Sequence, residues 1–470
     1  MNFSQNQFRM EAMSKSAKKH KNVFLILGDL ILFYLALFCV LLVRMPQSFA
    51  SGLQDHIVPF SIIFPVWLIV YYITGLSDGA IVGDKTKVIK SLFRATIINV
   101  LIAISFFYII PTQISPKRNL VFVAIFVFIL TYLGRQVFFS IIKSRRLQTK
   151  IAFVGFNKEV LETINKIENK PSLGYKIIFL LATDKDHLLL KKIPKTFNTY
   201  FGLSKLNRLL SDTRLSKVII ATKPETSPVL TKELYHSSSN LEFVYFPDFY
   251  EEIFRKVPVE MINRFWLQKK SNLKSYLFFK RIFDITLALI GGLLLLILLP
   301  FIAAAYLITD GFPVFFVQSR AGKSGEKFQI YKLRTMIKSA ERERPLWAEK
   351  NDVRVTKIGK YLRKYYIDEL PQFLNILKGE MSVVGPRPER PEFVKTLEKE
   401  ISFYPMRHTA KPGVTGWAQI SSFYARSVDD SIEKTRHDLY YIKNQSLFFD
   451  IDIVLKTFQM IFSKREKQNY

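Results

Sequence analysis

Four long apolar stretches occupy the first part of the chain, roughly Val23–Val43, Ile57–Leu76, Ser91–Ile110 and Leu120–Ile142. Each approaches the ~20 residues a helix needs to cross hydrocarbon, so four transmembrane helices are predicted. Short apolar runs follow. Ile151–Gly155, Lys217–Ala221 and Leu241–Phe246 are bounded by polar sequence and alternate with helical patterns. That alternation predicts a soluble, doubly wound α/β domain. A fifth long run, Ile285–Ile308, carries no charge. Beyond residue 309 the pattern becomes that of a soluble, basic domain.

The flanking charges orient the membrane part. Lys15, Lys18, Lys19 and Lys21 precede the first helix, Lys85, Lys87, Lys90 and Arg94 lie between the second and third, and Lys143, Arg145, Arg146 and Lys150 follow the fourth. The intervening loops carry only Arg44 and the pair Lys117 and Arg118. The excess of basic residues places both ends of this unit in the cytoplasm. The basic start leads into an apolar run too long for a cleavable signal peptide, and none is expected. The fifth run is long enough to span, but Pro300 lies in its second half, where a break or kink is expected. Both its flanks are basic: Lys269, Lys270, Lys274, Lys280 and Arg281 before it, Arg320, Lys323, Lys327, Lys332 and Arg334 after it. A re-entrant helix-hairpin, which enters and leaves by the same face, keeps both clusters in the cytoplasm.

The division that follows is a four-helix transmembrane domain over 1–147, a Rossmann-like α/β domain over 148–250, a linker over 251–274 and a C-terminal domain over 275–470 with the re-entrant segment at 281–309. The fold class is thus a membrane protein of α plus α/β type. In the α/β domain a dinucleotide fingerprint needs three glycines after the first strand. The run is Gly155-Phe156-Asn157-Lys158-Glu159-Val160, with only the first in place. A nucleotide-free or regulatory module is a better reading of it than a dehydrogenase or epimerase.

The formal charge of +29 draws a chain to nucleic acid, anionic lipid or phosphate-bearing substrates. With 49% hydrophobic residues and no zinc-finger or basic-helix motif, nucleic acid is set aside as a partner. The single cysteine, Cys39, excludes an intrachain disulfide and a cysteine metal cluster.

The chemistry concentrates in one stretch. In Ile367-Asp368-Glu369-Leu370-Pro371-Gln372-Phe373-Leu374-Asn375-Ile376-Leu377-Lys378-Gly379, the residues Leu370, Phe373, Leu374 and Leu377 share a helical face. Pro371 suits the first turn and Gly379 the end, so Asp368 and Glu369 stand at a helix N-terminus. An isolated acidic pair there is ordinarily a cap. Here Arg354, Lys357, Lys360, Arg363 and Lys364 precede it and Gly385-Pro386-Arg387-Pro388 follows. Adjacent carboxylates amid such charge suit phosphoryl transfer with Mg2+, one carboxylate as nucleophile and the other near the metal.

From about residue 275 onward the chain resembles the bacterial sugar transferase family, the monotopic polyprenyl-phosphate phosphoglycosyl transferases. The matching runs are Lys280-Arg281-Ile282-Phe283-Asp284, Tyr331-Lys332-Leu333-Arg334-Thr335-Met336, Asp368-Glu369-Leu370-Pro371-Gln372, Met381-Ser382-Val383-Val384-Gly385-Pro386-Arg387-Pro388 and Lys411-Pro412-Gly413-Val414-Thr415-Gly416-Trp417-Ala418-Gln419. The whole architecture is similar to the long-form members that initiate exopolysaccharide, capsule or O-antigen synthesis. The resemblance implies a hexose-1-phosphate transfer from a UDP-sugar, usually UDP-glucose or UDP-galactose, to undecaprenyl phosphate at the cytoplasmic face of the bacterial inner membrane. It implies Asp368 as nucleophile, Glu369 as the magnesium-associated partner, and Arg363 and Arg387 as the arginines that handle uridine and phosphate. Pro386, Lys332 and Arg334 are taken as further substrate-binding residues. Pro300, with Lys280, Arg281 and Asp284, belongs to the membrane hairpin. Leu299 stands where a serine often precedes that proline, and Gly311-Phe312-Pro313 replaces the usual Gly-Pro pair. The rival reading is a non-catalytic membrane sensor of nucleotide sugars, which would have lost Asp368, Glu369 or the arginine motif. A transporter built on the four helices finds little support, since they are nearly bare of central charges and no inverted repeat is evident. Membrane lipid is an expected partner, and a homo-oligomer is left open.

Overall fold

The structure is a computed structural model and describes residues 25–76, 85–109, 117–143, 148–182, 196–202, 209, 215–222, 241–262, 273–337, 352–421 and 427–462. It divides into two compact units, Met1–Ile253 and Phe254–Tyr470.

The first unit begins with helices α1 (Leu25–Arg44), α2 (Phe49–Ile73), α3 (Lys85–Ile109) and α4 (Lys117–Lys143). Each is long and apolar enough to cross a membrane. Helix α2 starts at Phe49 rather than at the expected Ile57. The polar residues there are absorbed locally: His56 Nδ1–H donates to the Gly52 carbonyl at 2.7 Å, and Asn119 Nδ2 lies 3.0 Å from His56 Nε2. Aromatic rings fill the interior, with Phe33 against Phe64, Trp67 and Tyr71 at centroid distances of 5.4, 5.8 and 5.1 Å. Asp29 and Arg135 are buried and joined at 2.6 Å, which ties α1 to α4.

The α/β part has strands β1 (Thr149–Val154), β2 (Tyr175–Ala182), β3 (Asn198–Phe201), β4 (Lys217–Ile220) and β5 (Glu242–Tyr245), with α5 (Lys158–Asn169) after β1 and α6 (Phe246–Phe254) after β5. All neighbours pair in parallel, in the order β3-β2-β1-β4-β5. This is the doubly wound order expected of strands alternating with helices. Gly155 adopts φ +95, and a Cβ on it would strike Thr222 beyond β4. The lone glycine is thus accounted for by chain packing. Asn157 caps α5 by accepting from Val160 N at 2.8 Å.

The second unit is built on α7, Leu273–Thr309, a single helix of 37 residues that contains Pro300. The backbone stays helical through the proline, so the expected break is not a gap in the helix. The antiparallel hairpin β6 (Phe315–Ala321) and β7 (Lys327–Leu333) follows. Then come α8 (Lys357–Lys364), a short turn at Ile367–Glu369, α9 (Gln372–Lys378), β8 (Ser382–Val384), α10 (Pro391–Glu400), β9 (Gly413–Thr415), α11 (Trp417–Ile420), α12 (Val428–Lys443) and α13 (Leu447–Phe462). Strands β8 and β9 pair in parallel.

The expected linker over 251–274 is corrected in its first half. Residues 251–254 end α6, and the stretch after it packs into the second unit. Val257 and Val259 are buried with Leu439 of α12. Val257 N donates to the Arg436 carbonyl at 3.0 Å, and Trp417 Nε1 donates to the Arg255 carbonyl at 2.7 Å. Lys256 pairs with Glu433 at 3.0 Å and Glu260 with Arg436 at 2.6 Å. The alternation of Val257 and Val259 is that of an extended segment with one apolar face. Residues 263–272 lie outside the described residues.

Candidate active site

The site forms where three segments of the second unit converge. Helix α8 ends at Lys364, Tyr366 takes the left-handed conformation (φ 56), and a tight turn over Ile367–Glu369 leads into α9. A non-glycine residue in that region costs roughly 1–2 kcal/mol. The reversal turns both carboxylates inward: Asp368 and Glu369 are 8% and 6% exposed. Pro371 is the N-cap of α9, and Gly379 closes it at φ 86. The Asp-Glu pair therefore precedes a helix N-terminus, as the sequence indicated.

The apolar face expected on α9 behaves differently. Leu374 and Leu377 are exposed at 49% and 37%, and polar Asn375 is fully buried beside Ile376. Asn375 accepts from Tyr331 N at 3.1 Å and donates to the Gln329 carbonyl at 2.7 Å, which fixes α9 to β7.

The two carboxylates differ in their surroundings. Lys332 of β7 and Arg387 reach the same oxygen, Oε1 of Glu369, at 3.3 and 2.7 Å. Burial works against charge on Glu369, but Arg387 and Lys332 outweigh it and hold its carboxyl well below the usual range. Among the described residues none donates a hydrogen bond to the Asp368 carboxylate. Burial and then the adjacent Glu369 charge push its carboxyl up, against the pull of Lys332, Arg363 and Arg387. One carboxylate is thus locked as an anion between cations. The other has an open oxygen and a raised pKa.

Arg363 comes from α8 and is oriented by Thr335, whose Oγ1 accepts from its Nε at 2.8 Å. Arg387 lies on the loop after β8. Gly385 permits that loop: a Cβ there would collide with the backbone at Lys411 and Gly413. Pro386 accepts from Gly413 N at 2.9 Å and lines a small recess with Gly322, Arg387, Arg407 and His408.

Arg334, taken from sequence as a substrate contact, has its guanidinium engaged at the end of α7. Its guanidinium donates to the Asp310 and Gly311 carbonyls and sits over the Tyr306 ring, and Tyr306 Oη donates to the Arg334 carbonyl. It fastens the end of α7 to β7. Lys280, Arg281 and Asp284 fasten its other end. Lys280 pairs with buried Asp450 at 2.9 Å, Arg281 donates to the Ile376 and Leu377 carbonyls at 2.7 and 3.0 Å, and Asp284 accepts from Ser382 Oγ and Val383 N, both at 2.9 Å. Pro300 lies between these anchors, on the exposed side of α7.

Sequence reasoning passed over Asp450, Arg407, Asp438, Glu389 and Lys434. Arg407 and Asp438 pair at 2.7 Å with both side chains 2% exposed, and Lys434 pairs with Glu389. One signal was available, because Lys434 and Asp438 are one turn apart on α12 and so share a face.

Residues 275–464 match the family model described as bacterial sugar transferase. The chain is 46% identical over 188 residues to the UDP-N-acetylgalactosamine-undecaprenyl-phosphate N-acetylgalactosaminephosphotransferase of Aeromonas hydrophila, covering 40% of this chain and 44% of that protein. It is 29% identical over 362 residues to the undecaprenyl-phosphate glucose phosphotransferase of Komagataeibacter xylinus, covering 73% of this chain and 65% of that one. With the uncharacterized sugar transferase EpsL of Bacillus subtilis (strain 168) it shares 38% identity over 182 residues, which cover 39% of this chain and 86% of that protein. The chain therefore belongs to the bacterial sugar transferase family. It spans less than half the length of the Aeromonas relative.

Proposed function

We propose that this chain transfers a hexose-1-phosphate from a UDP-sugar to undecaprenyl phosphate, releasing UMP and forming undecaprenyl-diphospho-sugar, as the first step of a surface polysaccharide. The observation that carries this is the asymmetric dyad: an open, buried Asp368 carboxylate beside a Glu369 held between Lys332 and Arg387. An oxygen of Asp368 attacks the sugar-bearing phosphorus in line, and the bond from that phosphorus to the UMP oxygen breaks. The undecaprenyl phosphate oxygen then attacks the aspartyl phosphosugar, the aspartyl bond breaks, and Asp368 is regenerated. In the first displacement Arg387 and Arg363 neutralise charge building on the donor's phosphate oxygens as UMP departs.

A magnesium ion fits this donor set. Both cations of the dyad fall on Oε1 of Glu369, so its Oε2 is a hard oxygen ligand, and Mg2+ commonly takes one or two carboxylates from protein beside substrate phosphates. Bound there, it would add positive charge against the donor's pyrophosphate.

The acceptor is a lipid, and α7 supplies the approach to it. Its N-terminal half packs on α9 and β8 through Leu287 and Ala288, and its C-terminal half on β7 and α8 through Leu298, Ile302 and Tyr306. From Lys280 to Tyr306 an α-helix rises about 39 Å, more than the ~30 Å of hydrocarbon. A soluble body on one side of a bilayer cannot hold both ends of a helix that crosses it. The re-entrant arrangement is therefore favoured, with Leu289, Leu293, Leu296 and Phe301 facing lipid and the site at the cytoplasmic headgroups. Single cysteines at Ser275 and Ser324, in a Cys39→Ser background, are expected to label from the same side of sealed vesicles. Labelling from opposite sides would contradict it.

UMP release from membranes supplied with UDP-glucose, UDP-galactose and UDP-N-acetylgalactosamine tests the donor class. One of these is expected to support turnover that depends on undecaprenyl phosphate. Turnover with none would sink the reading. No observation favours the non-catalytic sensor.

The pH dependence follows from Asp368. Its carboxyl is raised, and it must be ionised to attack. The first half-reaction is therefore present above that raised value and lost as pH falls through it. The acid limb of kcat/KM for the donor is expected above the ordinary carboxylate range, and a limb near pH 4 would contradict the assignment.

A further inference from the structure

The loop that carries Arg387 is held by its own carbonyls. Those of Pro386 and Glu389 accept from backbone N–H groups, Gly413 and Ala321, both at 2.9 Å. That of Pro388 accepts from Arg320 Nη1 at 3.2 Å. That of Arg387 itself accepts from Arg407 Nη2 at 3.1 Å. Arg407 is 2% exposed, and the same guanidinium donates to Asp438 Oδ2 and Tyr404 Oη, each at 2.7 Å. Asp438 is 1% exposed.

A buried ion pair is weak as a device for stability, because a well-packed apolar pair can replace it at little loss. A guanidinium is different as a device for geometry. Its donors lie in one rigid plane, so three acceptors bound at once fix one another's positions. Here the three are a carboxylate on α12, a tyrosine of the 404–409 turn, and the carbonyl of the residue whose side chain meets Glu369 at 2.7 Å. Rotation of that peptide would swing the Arg387 side chain off the dyad.

Resting on the donor-site reading given above, we infer that Arg407, fixed by Asp438, is a positioning residue for Arg387 and sets the aim of its guanidinium on the donor's phosphates. Arg407 is not itself placed on the substrate. In a two-step transfer, kcat/KM for the donor reports only the first displacement and kcat/KM for the acceptor only the second. Misplacement by about an ångström costs up to ~100-fold.

The test uses the full chain in nanodiscs. Arg407→Lys keeps the charge opposite Asp438 but cannot span all three acceptors. It is expected to lower kcat/KM for the UDP-sugar roughly ten- to a hundredfold and to leave kcat/KM for undecaprenyl phosphate within about twofold. In an Arg387→Ala background the same substitution is expected to add less than about twofold, because the residue it positions is gone. Where Arg407→Lys does not accumulate, Asp438→Asn carries the same cycle. Equal loss for donor and acceptor, or a full additional loss on top of Arg387→Ala, overturns the inference while leaving the donor site intact. If Arg387→Ala alone leaves donor kcat/KM unchanged, the donor-site reading fails, and the inference with it.

Discussion

Asp368→Asn is expected to lower sugar-phosphate transfer by at least about 10^3-fold while the protein folds as well as before or better. The amide is nearly isosteric with the carboxylate but lacks a nucleophilic anion. It also relieves a repulsion, since burial and the Glu369 charge both raise the cost of ionising Asp368. The Lys332–Glu369–Arg387 cluster does not depend on Asp368 and stays in place. Transfer assayed beside thermal unfolding separates the two effects. A variant retaining a tenth of the activity would move the nucleophile elsewhere. A variant that lost activity only because it unfolded would leave Asp368 with a structural role.

The second large effect concerns where the catalytic unit begins. A chain starting at residue 254 is expected to fold and transfer, and one starting at 272 to be markedly less stable. The shorter chain loses buried Val257, Val259 and Met261, the acceptor for Trp417 Nε1, and the ion pairs of Lys256 with Glu433 and Glu260 with Arg436. Two buried valines alone are worth about 3 kcal/mol or more, which for a unit of this size lowers Tm by roughly 10 °C. Trp417 follows the Gly416 turn and packs with Val384 next to the Arg387 loop, so activity is expected to fall with stability. Equal Tm and activity for the two chains would show that the segment contributes nothing.

What the sequence made legible was whatever depends on local constraint. The apolar runs showed the long apolar helices, the alternation of strands and helices showed the parallel sheet, and Asp368-Glu369 before Pro371 showed the turn. Three kinds of feature stayed hidden. One is a charge whose partner is remote: Lys280 and Asp450 are 170 positions apart, and nothing local in either announces the other. Another is a side chain's direction. Arg334 has the residue type of a phosphate ligand, but the Asp310 and Gly311 carbonyls at the end of α7 claim its guanidinium. The third is burial that breaks the usual polarity rule. Asn375 is interior because β7 presents backbone groups to it, and Leu374 and Leu377 are left outside, beside a helix with an apolar exposed face. In the linker, Val257 and Val259 carried a period-two pattern too short to separate from ordinary loop sequence.

The central claim is that the chain itself carries the phosphosugar between two displacements, and trapping the protein with donor alone tests it most directly. Incubated with labelled UDP-sugar and magnesium in the absence of undecaprenyl phosphate, the enzyme is expected to release UMP up to about one equivalent per chain and stop. The label is expected to stay on the denatured protein and to be removed by hydroxylamine, as an acyl phosphate would be. Asp368→Asn is expected to show neither signal. UMP that appears only when undecaprenyl phosphate is added, with no labelled protein at any time, would contradict the account and make the transfer direct.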